Sequence, residues 1–460
     1  MLLAAAPAIG ILAGVDPVLA LGAGFAVGFM LVILADLYVG LLLFIVLTFF
    51  ADLPTYGGSA VSFSKLAGLV LAISWLATLA VKRRRGGDFI TTHPVASWTL
   101  LAFLGWAALS QLWADDPSTS LDAVFRLSLN VVFFIIVFTA VRTRAQAIGV
   151  AAAFVAGACL DAVYGLLNPV HVVNTARLAG STSKPGELAA ALVGGLVLSV
   201  GLIALLRRNP VARLAAAVAA VISALGVFLT GSRGGLIALA TALATFIVVG
   251  TRWRGRLLAM AAVLVVAGVG FYTYAASPDL RARVTSVGTG SGRTDLWTVA
   301  WRMVEAHPLD GVGIGNFPGS SVNYVLTPGT VARAQYVIDS PKVAHNTYLE
   351  LWAETGLVGL TLFVVVVGFC LRCAYRAAQE FRRQQDAPMD LLSTALLVAQ
   401  VGFLAGAFFT SREYSKDIWL ILALGPAFLG VARAQASEEP EGEQAASRIP
   451  ASAPSPLPGT

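Results

Sequence analysis

Long apolar segments alternate with short polar connections from the start of the chain to about residue 434. Each apolar segment approaches the roughly 20 residues that an α-helix needs to cross the hydrocarbon core of a bilayer. The pattern therefore predicts an all-α, polytopic membrane helix bundle of about 12 to 14 spans. These spans lie near residues 18–34, 37–51, 63–81, 94–113, 124–141, 147–167, 187–206, 212–230, 233–250, 257–276, 351–372, 390–410 and 418–434. Residues 3–15 are too short to assign, so they form either one more span or a re-entrant segment.

One long polar segment interrupts this alternation, from Ser277 to Glu350. We therefore expect a transmembrane bundle over residues 1–276, a loop domain with short helices over 277–350, and further transmembrane helices over 351–434. Residues 435–460 are rich in Pro, Ser, Ala and Glu, which predicts a disordered tail. Two of the four histidines and five arginines fall in the long polar segment, so we expect the chemistry there.

The composition excludes a soluble protein, because 57% of the residues are hydrophobic and only 12% are charged. Three cysteines in or beside apolar segments do not make a disulfide framework. The net charge of +6 raises nucleic acid and anionic lipid as partners, so the distribution of the cations matters. Sixteen of them lie in five loops on one side of the predicted topology, at 82–85, 142–144, 207–213, 252–256 and 372–383.

By the positive-inside rule these five loops are cytoplasmic. The short loops on the other side hold only five cations. The segment Ser277–Glu350 then lies outside the cytoplasmic face, and the C-terminus lies inside. This distribution gives membrane lipid as a partner and no nucleic acid.

Two of the outward turns carry an arginine. Arg177 begins the segment Arg177-Leu-Ala-Gly-Ser-Thr-Ser-Lys-Pro-Gly-Glu187, although a cation in a loop is most often simply solvated. Arg233 lies in Thr-Gly-Ser-Arg-Gly-Gly, where two spans meet almost without a connecting loop. A charge held at the hydrocarbon boundary is costly unless it is used. Snorkelling is the alternative for Arg233, but the small residues around it leave space for an anionic ligand.

The long polar segment contains a third arginine and a turn rich in glycine. Arg293 opens a predicted amphipathic helix that continues to Glu305 and ends at His307-Pro308, and its apolar face is suited to the membrane surface. The glycines from Gly311 to Gly315 do not have dinucleotide-binding spacing, and no strand precedes them. Close approach of the backbone to a ligand, or simple turn geometry, explains them better.

His345 lies at the end of the long polar segment, just before a predicted span. Thr347 and Glu350 fit a capping box, which predicts a helix that begins near Thr347. The positive end of a helix disfavours imidazolium, so His345 should be neutral near pH 7 and able to accept a proton. A lone histidine is more often structural, but its location on the outer face beside a helix start makes His345 our candidate catalytic base.

The acidic residues and cysteines do not predict a metal site. Asp115 and Asp116 form a pair that turn chemistry explains, and a carboxylate pair without further ligands binds a divalent cation poorly. Cys370 and Cys373 have metal-like spacing but no second pair of ligands. We therefore predict no metal and no cofactor.

Six short motifs occur in order between about residues 170 and 370. They are Arg177-x-x-Gly180 with Pro185 and Leu188-Ala189, Ser232-Arg233-Gly234, Gly292-Arg293-x-x-Leu296-Trp297, Pro308-Leu309-x-Gly311-Val312-Gly313-x-Gly315, His345-Asn346-x-x-Leu349 and Gly356-Leu357-x-Gly359-Leu360. No single motif is specific, but their combination resembles the superfamily of O-antigen ligases and Wzy-type polysaccharide polymerases. One departure is Gly186, where the family often has Asn.

The resemblance implies a membrane glycosyltransferase of the bacterial inner membrane with its active face in the periplasm. Such enzymes move a glycan from a polyprenyl diphosphate carrier to a hydroxyl of an acceptor. Arg233 and Arg293, with Arg177 as a weaker candidate, would bind the donor diphosphate, since guanidinium groups pair bidentately with phosphate oxygens. His345 would take the proton of the acceptor hydroxyl, which gives inversion without a metal. The implied partners are a lipid-linked glycan donor, a glycan or lipid A-core acceptor and other polysaccharide-assembly proteins.

A transporter or flippase is the main alternative, since a dozen spans can surround a substrate path. Transporter sites usually lie near the bilayer midplane and use polar groups inside the spans. Only Asp36 and Asp161 are obvious candidates of that kind in this sequence. Within the family, ligase, polymerase and protein oligosaccharyltransferase differ in their acceptor, and the sequence does not separate them.

Overall fold

A computed structural model describes most of the chain. The described residues are 17–50, 63–81, 89–172, 175–285, 292–325, 337–339 and 341–447, together with Gly14 and Val331. The predicted segment 3–15 lies outside this set apart from Gly14. The predicted cation cluster at 82–85 and the tail from residue 448 onward also lie outside it.

Helices make up nearly all of the secondary structure in these residues. They are α1 Pro17–Ala35, α2 Leu37–Thr48, α3 Phe63–Val81, α4 Phe89–Thr92, α5 Pro94–Leu109, α6 Pro117–Ala140, α7 Arg144–Leu167, α8 Pro185–Leu205, α9 Pro210–Leu229, α10 Arg233–Val249, α11 Arg254–Gly270, α12 Pro278–Thr285, α13 Arg293–Ala306, α14 Phe317–Val325, α15 Thr347–Arg383, α16 Ala387–Ala407 and α17 Lys416–Ser447. A short antiparallel hairpin of β1 Val170–Val172 and β2 Thr175–Arg177 connects α7 to α8.

The predicted fold class is confirmed. Nine helices within the described residues are long and apolar enough to cross a membrane, and three further apolar helices are shorter. Several begin with a proline in the first turn, as α6, α8, α9 and α16 do, where the missing N–H has no helical partner in any case. The last helix runs to Ser447, into the predicted tail, and the domain boundaries at 276, 350 and 434 stay a prediction.

The core of the bundle is built around α8, α16 and α17, whose residues are mostly buried, whereas α11 lies at the periphery. Large rings fill the centre, among them the fully buried Phe363, Phe403 and Trp419. Small residues let the helices approach closely, as is usual for packing in a membrane. This tight core holds the ends of α15, α16 and α17 in fixed relation to one another.

α15 is kinked near its start, at Gly356. Its φ of 65° and ψ of −173° are not helical, and a Cβ at this position would lie 2.0 Å from the carbonyl oxygen of Leu309. The kink exposes carbonyl groups that other segments then satisfy, as buried backbone groups require. The carbonyl of Ala353 accepts from Val312 N, that of Glu354 accepts from Gly313 N, and that of Thr355 accepts from Trp106 Nε1, at 2.9, 2.9 and 2.7 Å.

This arrangement decides between the two explanations of the glycine-rich turn. Gly311 has a φ of 71°, and a Cβ there would lie 2.4 Å from the backbone of Glu354. Residues 311–313 therefore pack directly against the kink of α15. Turn geometry and close helix packing account for these glycines, and the turn connects the long polar segment to the bundle.

The expectation that α13 lies on the membrane surface is wrong. Most of its apolar side chains, though not Trp301, are buried in a second, smaller core within the long polar segment, which includes Leu296, Val299 and Met303. Phe317 of α14 packs in the same core. The helix ends at Ala306 with His307 as its C-cap residue, as the sequence predicted. The period of the apolar residues is that of an amphipathic helix in either case, and only the tertiary structure shows what covers that face.

Candidate functional site

A cavity of about 670 Å³ lies where the long polar segment meets the ends of α6, α8, α10 and α15 and the loop between α16 and α17. Its lining combines two kinds of charge. The cationic side chains and the histidine are Arg126, Arg177, Lys184, Arg293 and His345. The acidic side chains are Asp122, Glu187, Glu350, Glu354 and Glu413.

The β-hairpin after α7 brings Arg177 into this cavity. Arg177 is the last residue of β2, and its Nε donates to the carbonyl of Thr230 at 2.8 Å. The next residue, Leu178, donates its N–H to the carbonyl of Leu229 at 3.2 Å. These two bonds attach the hairpin to the turn between α9 and α10. Arg177 is only 7% exposed, so its side chain is a buried part of the site and not a solvated loop cation.

Burial and neighbouring cations lower the pKa of Arg177 to about 9. Burial is the larger cause, and the charges of Arg283 and Arg293 follow. The guanidinium still carries its charge at neutral pH. An anion placed between these cations would reduce their mutual repulsion.

The turn between α9 and α10 depends on Gly231. Its φ is 55°, and a Cβ there would lie 2.3 Å from Leu280 Cδ1. The turn places Ser232 in the lining of the cavity and Arg233 at the first position of α10. Arg233 Nε donates to the carbonyl of Arg283 at 2.8 Å, so this arginine holds α12 beside the site. Arg233 does not belong to the lining of the cavity, and its contact with the donor diphosphate stays a prediction.

Arg293 is the first residue of α13 and follows Gly292, which has a φ of 82°. It lines the same cavity as Arg177 and His345. Its positive charge lowers the pKa of both of those groups. The structure thus brings together Arg177, Arg293 and His345, three residues that are far apart in the sequence.

His345 is held in a strained backbone conformation. Its φ of 52° lies in the left-handed region, which a residue with a side chain rarely adopts. The preceding residue, Ala344, is fully buried and bonded on both sides. Its N–H donates to Glu350 Oε2 at 3.0 Å, and its carbonyl accepts from Trp297 Nε1 at 3.0 Å. These bonds hold the backbone so that the imidazole lines the cavity.

The pKa of His345 is lowered to about 4. Burial is the first cause, followed by the charges of Arg293, Lys184 and Lys342. The expected neutral imidazole is thus consistent with the structure, although the sequence argument named only the helix terminus as the cause. A neutral imidazole can accept a proton at physiological pH.

The cap of α15 differs from the predicted capping box, although the helix begins at Thr347 as expected. Asn346 is the N-cap, and its Oδ1 accepts from the N–H groups of Tyr348 and Leu349 at 3.1 Å each. Thr347 Oγ1 instead donates to the carbonyl of Thr410 at 2.8 Å. Glu350 is turned toward Ala344 and Ser411. Tertiary contacts with the α16–α17 loop therefore replace the predicted local capping bonds of Thr347 and Glu350.

Three buried glutamates lie beside the histidine; Glu354 and Glu413 were missed in the sequence, and Glu350 was predicted only as part of a capping box. Glu350 accepts from Ser411 Oγ, and Glu354 accepts from Phe317 N and Tyr414 Oη at 3.1 and 2.8 Å. Glu413 is 3% exposed, and burial raises its pKa to about 8, with the charge of Glu354 as the next cause. The dense polar sequence 411–417 between two apolar spans was the available signal for Glu413.

Further cations around the cavity were also missed. Lys184 precedes α8 and pairs with Glu187 at 3.2 Å, and Glu187 also pairs with the buried Arg412 at 2.9 Å. Arg283 has its pKa lowered by burial and by the charge of Arg233. Lys184 lies in the same loop as Arg177, and Arg283 lies in the same polar segment as Arg293, so in each segment another residue was selected from the sequence. Gly186 lines the cavity, and a Cβ there would approach Thr410 Cγ2 to 3.1 Å.

The aspartates that suggested a metal or a transport path have structural contacts. Asp116 is the N-cap of α6, and Asp115 accepts from Ser320 Oγ. Asp36 is the N-cap of α2, and Asp161 Oδ1 accepts from Ser181 N at 2.7 Å. Among the described residues, no group of three or more His, Cys, Asp or Glu is arranged to hold a metal ion.

The fold and the site define a polytopic membrane protein with a polar cavity that contains arginines, buried glutamates and a histidine. Residues 218–364 match the family described as Wzy_C, O-antigen ligase. This match confirms the resemblance seen in the motifs, and it covers Arg233, Arg293 and His345. Arg177 lies before the matched region. The match supports a membrane function in glycan ligation or polymerisation.

A comparison with solved structures gives a weaker likeness. One chain, from a structure titled "Structural coordination of polymerization and crosslinking by a peptidoglycan synthase complex", is 16% identical with a TM-score of 0.40. The likeness covers 74% of this chain and 96% of that one. No curated protein matches the chain.

Proposed function

We propose that this protein transfers a glycan from a polyprenyl diphosphate carrier to a hydroxyl of an acceptor, on the periplasmic side of the bacterial inner membrane. One observation carries the proposal: Arg177, Arg293 and His345 line a single cavity at one end of a membrane helix bundle. The cations suit a diphosphate, and the imidazole suits a proton acceptor. Nothing in this step uses a metal.

The donor diphosphate would lie against Arg177 and Arg293. The charge of Arg293 lowers the pKa of Arg177, and a diphosphate between the two guanidinium groups would offset this repulsion. Arg233 bonds to the carbonyl of Arg283 outside the lining, and its positive charge would act on the same diphosphate from there. These cations would also stabilise the negative charge that grows on the carrier as it leaves.

His345 would act as the general base. Its pKa of about 4 makes it a weak base in the empty site, where Arg293, Lys184 and Lys342 surround it. Binding of the diphosphate adds negative charge beside these cations and raises the pKa of His345, because it reduces their repulsion of imidazolium. Binding of the donor would thus make His345 a stronger base, and catalysis would start only when the donor is bound.

The transfer would take place as a single displacement. A ring nitrogen of His345 takes the proton of the acceptor hydroxyl, and the hydroxyl oxygen forms a bond to the anomeric carbon. The bond between that carbon and the diphosphate oxygen breaks, and the carrier diphosphate leaves with its electron pair. Attack opposite the leaving group inverts the anomeric centre.

The positive-inside rule supports the proposed orientation. Four cation-rich segments lie at the helix ends opposite to that of His345, at 142–144, 207–213, 252–256 and 372–383, the last of which is the C-terminal part of α15. These segments hold twelve of the 31 lysines and arginines, so we place them in the cytoplasm with the C-terminus. The cavity then faces the periplasm.

The proposal is tested with purified protein in nanodiscs and a lipid-linked glycan donor. Transfer to an acceptor should proceed in EDTA, be lost in His345→Ala and be retained in Arg281→Gln, a variant of an exposed arginine that does not line the cavity. Deletion of the gene, followed by gels of the surface glycans, then separates the acceptors. Free core with accumulated polymer indicates a ligase, and single-repeat products indicate a polymerase. Unchanged glycans in the deletion strain contradict the proposal.

A further inference from the structure

The cavity of His345 has one side built from acids and hydroxyls. The α16–α17 loop contributes five polar side chains to the lining, those of Thr410, Ser411, Glu413, Tyr414 and Ser415. Glu350 and Glu354 of α15 line the cavity beside them. The hydroxyl of Ser411 donates to Glu350, and that of Tyr414 donates to Glu354. We call these seven side chains the acidic wall.

The acidic wall is separate from the cations of the cavity. The charges that lower the pKa of His345 are all cationic, whereas the charge that raises the pKa of Glu413 most is that of Glu354. The one cation of residues 410–415 is Arg412, which is paired with two carboxylates and does not line the cavity. An anionic ligand would therefore find no cationic partner on this wall.

Glu413 carries an unused hydrogen-bonding atom on this wall. The residue is nearly fully buried in the lining, and no described residue forms a hydrogen bond with its Oε2. A buried polar atom without a partner is costly, so its presence beside a cavity indicates a ligand that would bond to it. With a pKa of about 8, Glu413 is mainly the neutral acid near pH 7 and can both donate and accept. A sugar hydroxyl also does both.

The direction of the displacement decides which sugar meets this wall. The acceptor hydroxyl attacks opposite to the leaving diphosphate and beside His345, which takes its proton. The diphosphate would lie against Arg177 and Arg293, so the acceptor ring lies on the other side of the base. The acidic wall begins there, because Glu350 accepts from the N–H of Ala344, the residue before His345.

We propose that the acidic wall is the acceptor subsite and that Glu413 binds a hydroxyl of the acceptor sugar, an inference that rests on the proposed function. The wall offers hydroxyl and carboxyl groups, which suit an uncharged polyhydroxylated ring. A ring with its own phosphate or carboxylate would leave that group unpaired, and the wall thereby selects against it. Glu413 is thus a specificity-determining residue for the acceptor.

The test measures the KM of each substrate for full-length protein in nanodiscs. The donor is a lipid-linked glycan, and the acceptor is the glycolipid fraction of the deletion strain. Glu413→Ala should raise the acceptor KM about tenfold, the size of one hydrogen bond, and leave the donor KM unchanged. Glu413→Gln keeps a donor and an acceptor atom and should recover most of the loss. Glu305→Ala is the matched control, because Glu305 is exposed and does not line the cavity.

Two further measurements separate this role from a structural one. Because Glu413 Oε2 makes no hydrogen bond with the described residues, thermal unfolding of Glu413→Ala should stay close to that of wild type. If that variant does not fold, Ser415→Ala removes a hydroxyl from the same wall and should raise the acceptor KM about threefold. Linkage analysis of the product should find the new glycan on a ring without phosphate or carboxylate.

Several results would overturn the acceptor subsite while the proposed function stands. They are an unchanged acceptor KM in the folded variants of the wall, a rise in the donor KM in its place, and an equal rise in Glu305→Ala. A product glycosylated on a phosphorylated ring would also overturn it. Wild-type protein that transferred no glycan would instead refute the proposed function, and this inference with it.

Discussion

The main-chain N–H of Ala344 donates to the buried Oε2 of Glu350 at 3.0 Å. This bond joins the residue before His345 to the first turn of α15. Because the φ of His345 is 52°, the backbone must be held from both sides to keep the imidazole in the cavity. Glu350 is therefore a positioning residue for His345.

Substitution of Glu350 should separate catalysis from binding. In Glu350→Ala the N–H of Ala344 loses its acceptor, and a misplaced base can cost about 100-fold in rate. We expect kcat to fall by about that factor with little change in KM for the donor. Glu350→Gln keeps an acceptor oxygen and should recover much of the rate. Steady-state kinetics measures kcat and KM for both variants. A rise in the donor KM with unchanged kcat would contradict a positioning role.

Removal of the base itself should abolish transfer without unfolding the protein. General base catalysis contributes typically 10²- to 10⁴-fold, so His345→Ala should lower kcat by that order. Donor binding should persist, because the cations remain in place. Donor affinity and thermal unfolding of the variant, measured beside wild type, check these expectations. Near-normal transfer by His345→Ala would exclude the histidine as the base.

The arginines should differ in the strength of their effects. Arg177 and Arg293 line the cavity, whereas Arg233 bonds to the backbone of Arg283. A hydrogen bond to a charged group is worth about 1.5 to 3 kcal/mol. We expect Arg177→Gln and Arg293→Gln each to raise the donor KM about 10- to 100-fold, and Arg233→Gln to have a smaller effect. A calorimetric titration with donor, with Arg281→Gln as control, decides the order.

The pH dependence should report the neighbours of His345. A pKa of about 4 places the acid limb of kcat/KM well below the ordinary histidine value of about 6.5, since kcat/KM reflects the free enzyme. Arg293→Gln removes a positive charge that opposes imidazolium, so the pKa of His345 rises and the acid limb moves upward. The pH profiles of the two proteins give the direction of this shift. A downward shift would contradict the electrostatic argument.

The kink of α15 should be intolerant of a side chain. Gly356→Ala would place a Cβ at 2.0 Å from the carbonyl oxygen of Leu309 and would keep a positive φ. Strain of this kind costs about 1 to 3 kcal/mol in stability. Gly270→Ala is the control, because its helical position has open space and should gain up to about 1 kcal/mol. Thermal unfolding in detergent, followed by tryptophan fluorescence, compares the two variants.

The sequence alone determined the helical membrane bundle, because a bilayer imposes a length and an apolar composition that each segment shows by itself. It also located Arg177, Arg293 and His345 as polar residues at the same end of the spans. Only the tertiary structure decided that Arg233 bonds to Arg283, that α13 covers an internal core, and that Glu350 holds Ala344. These contacts join segments that are distant along the chain, and local periodicity carries no information about which distant segments pack together.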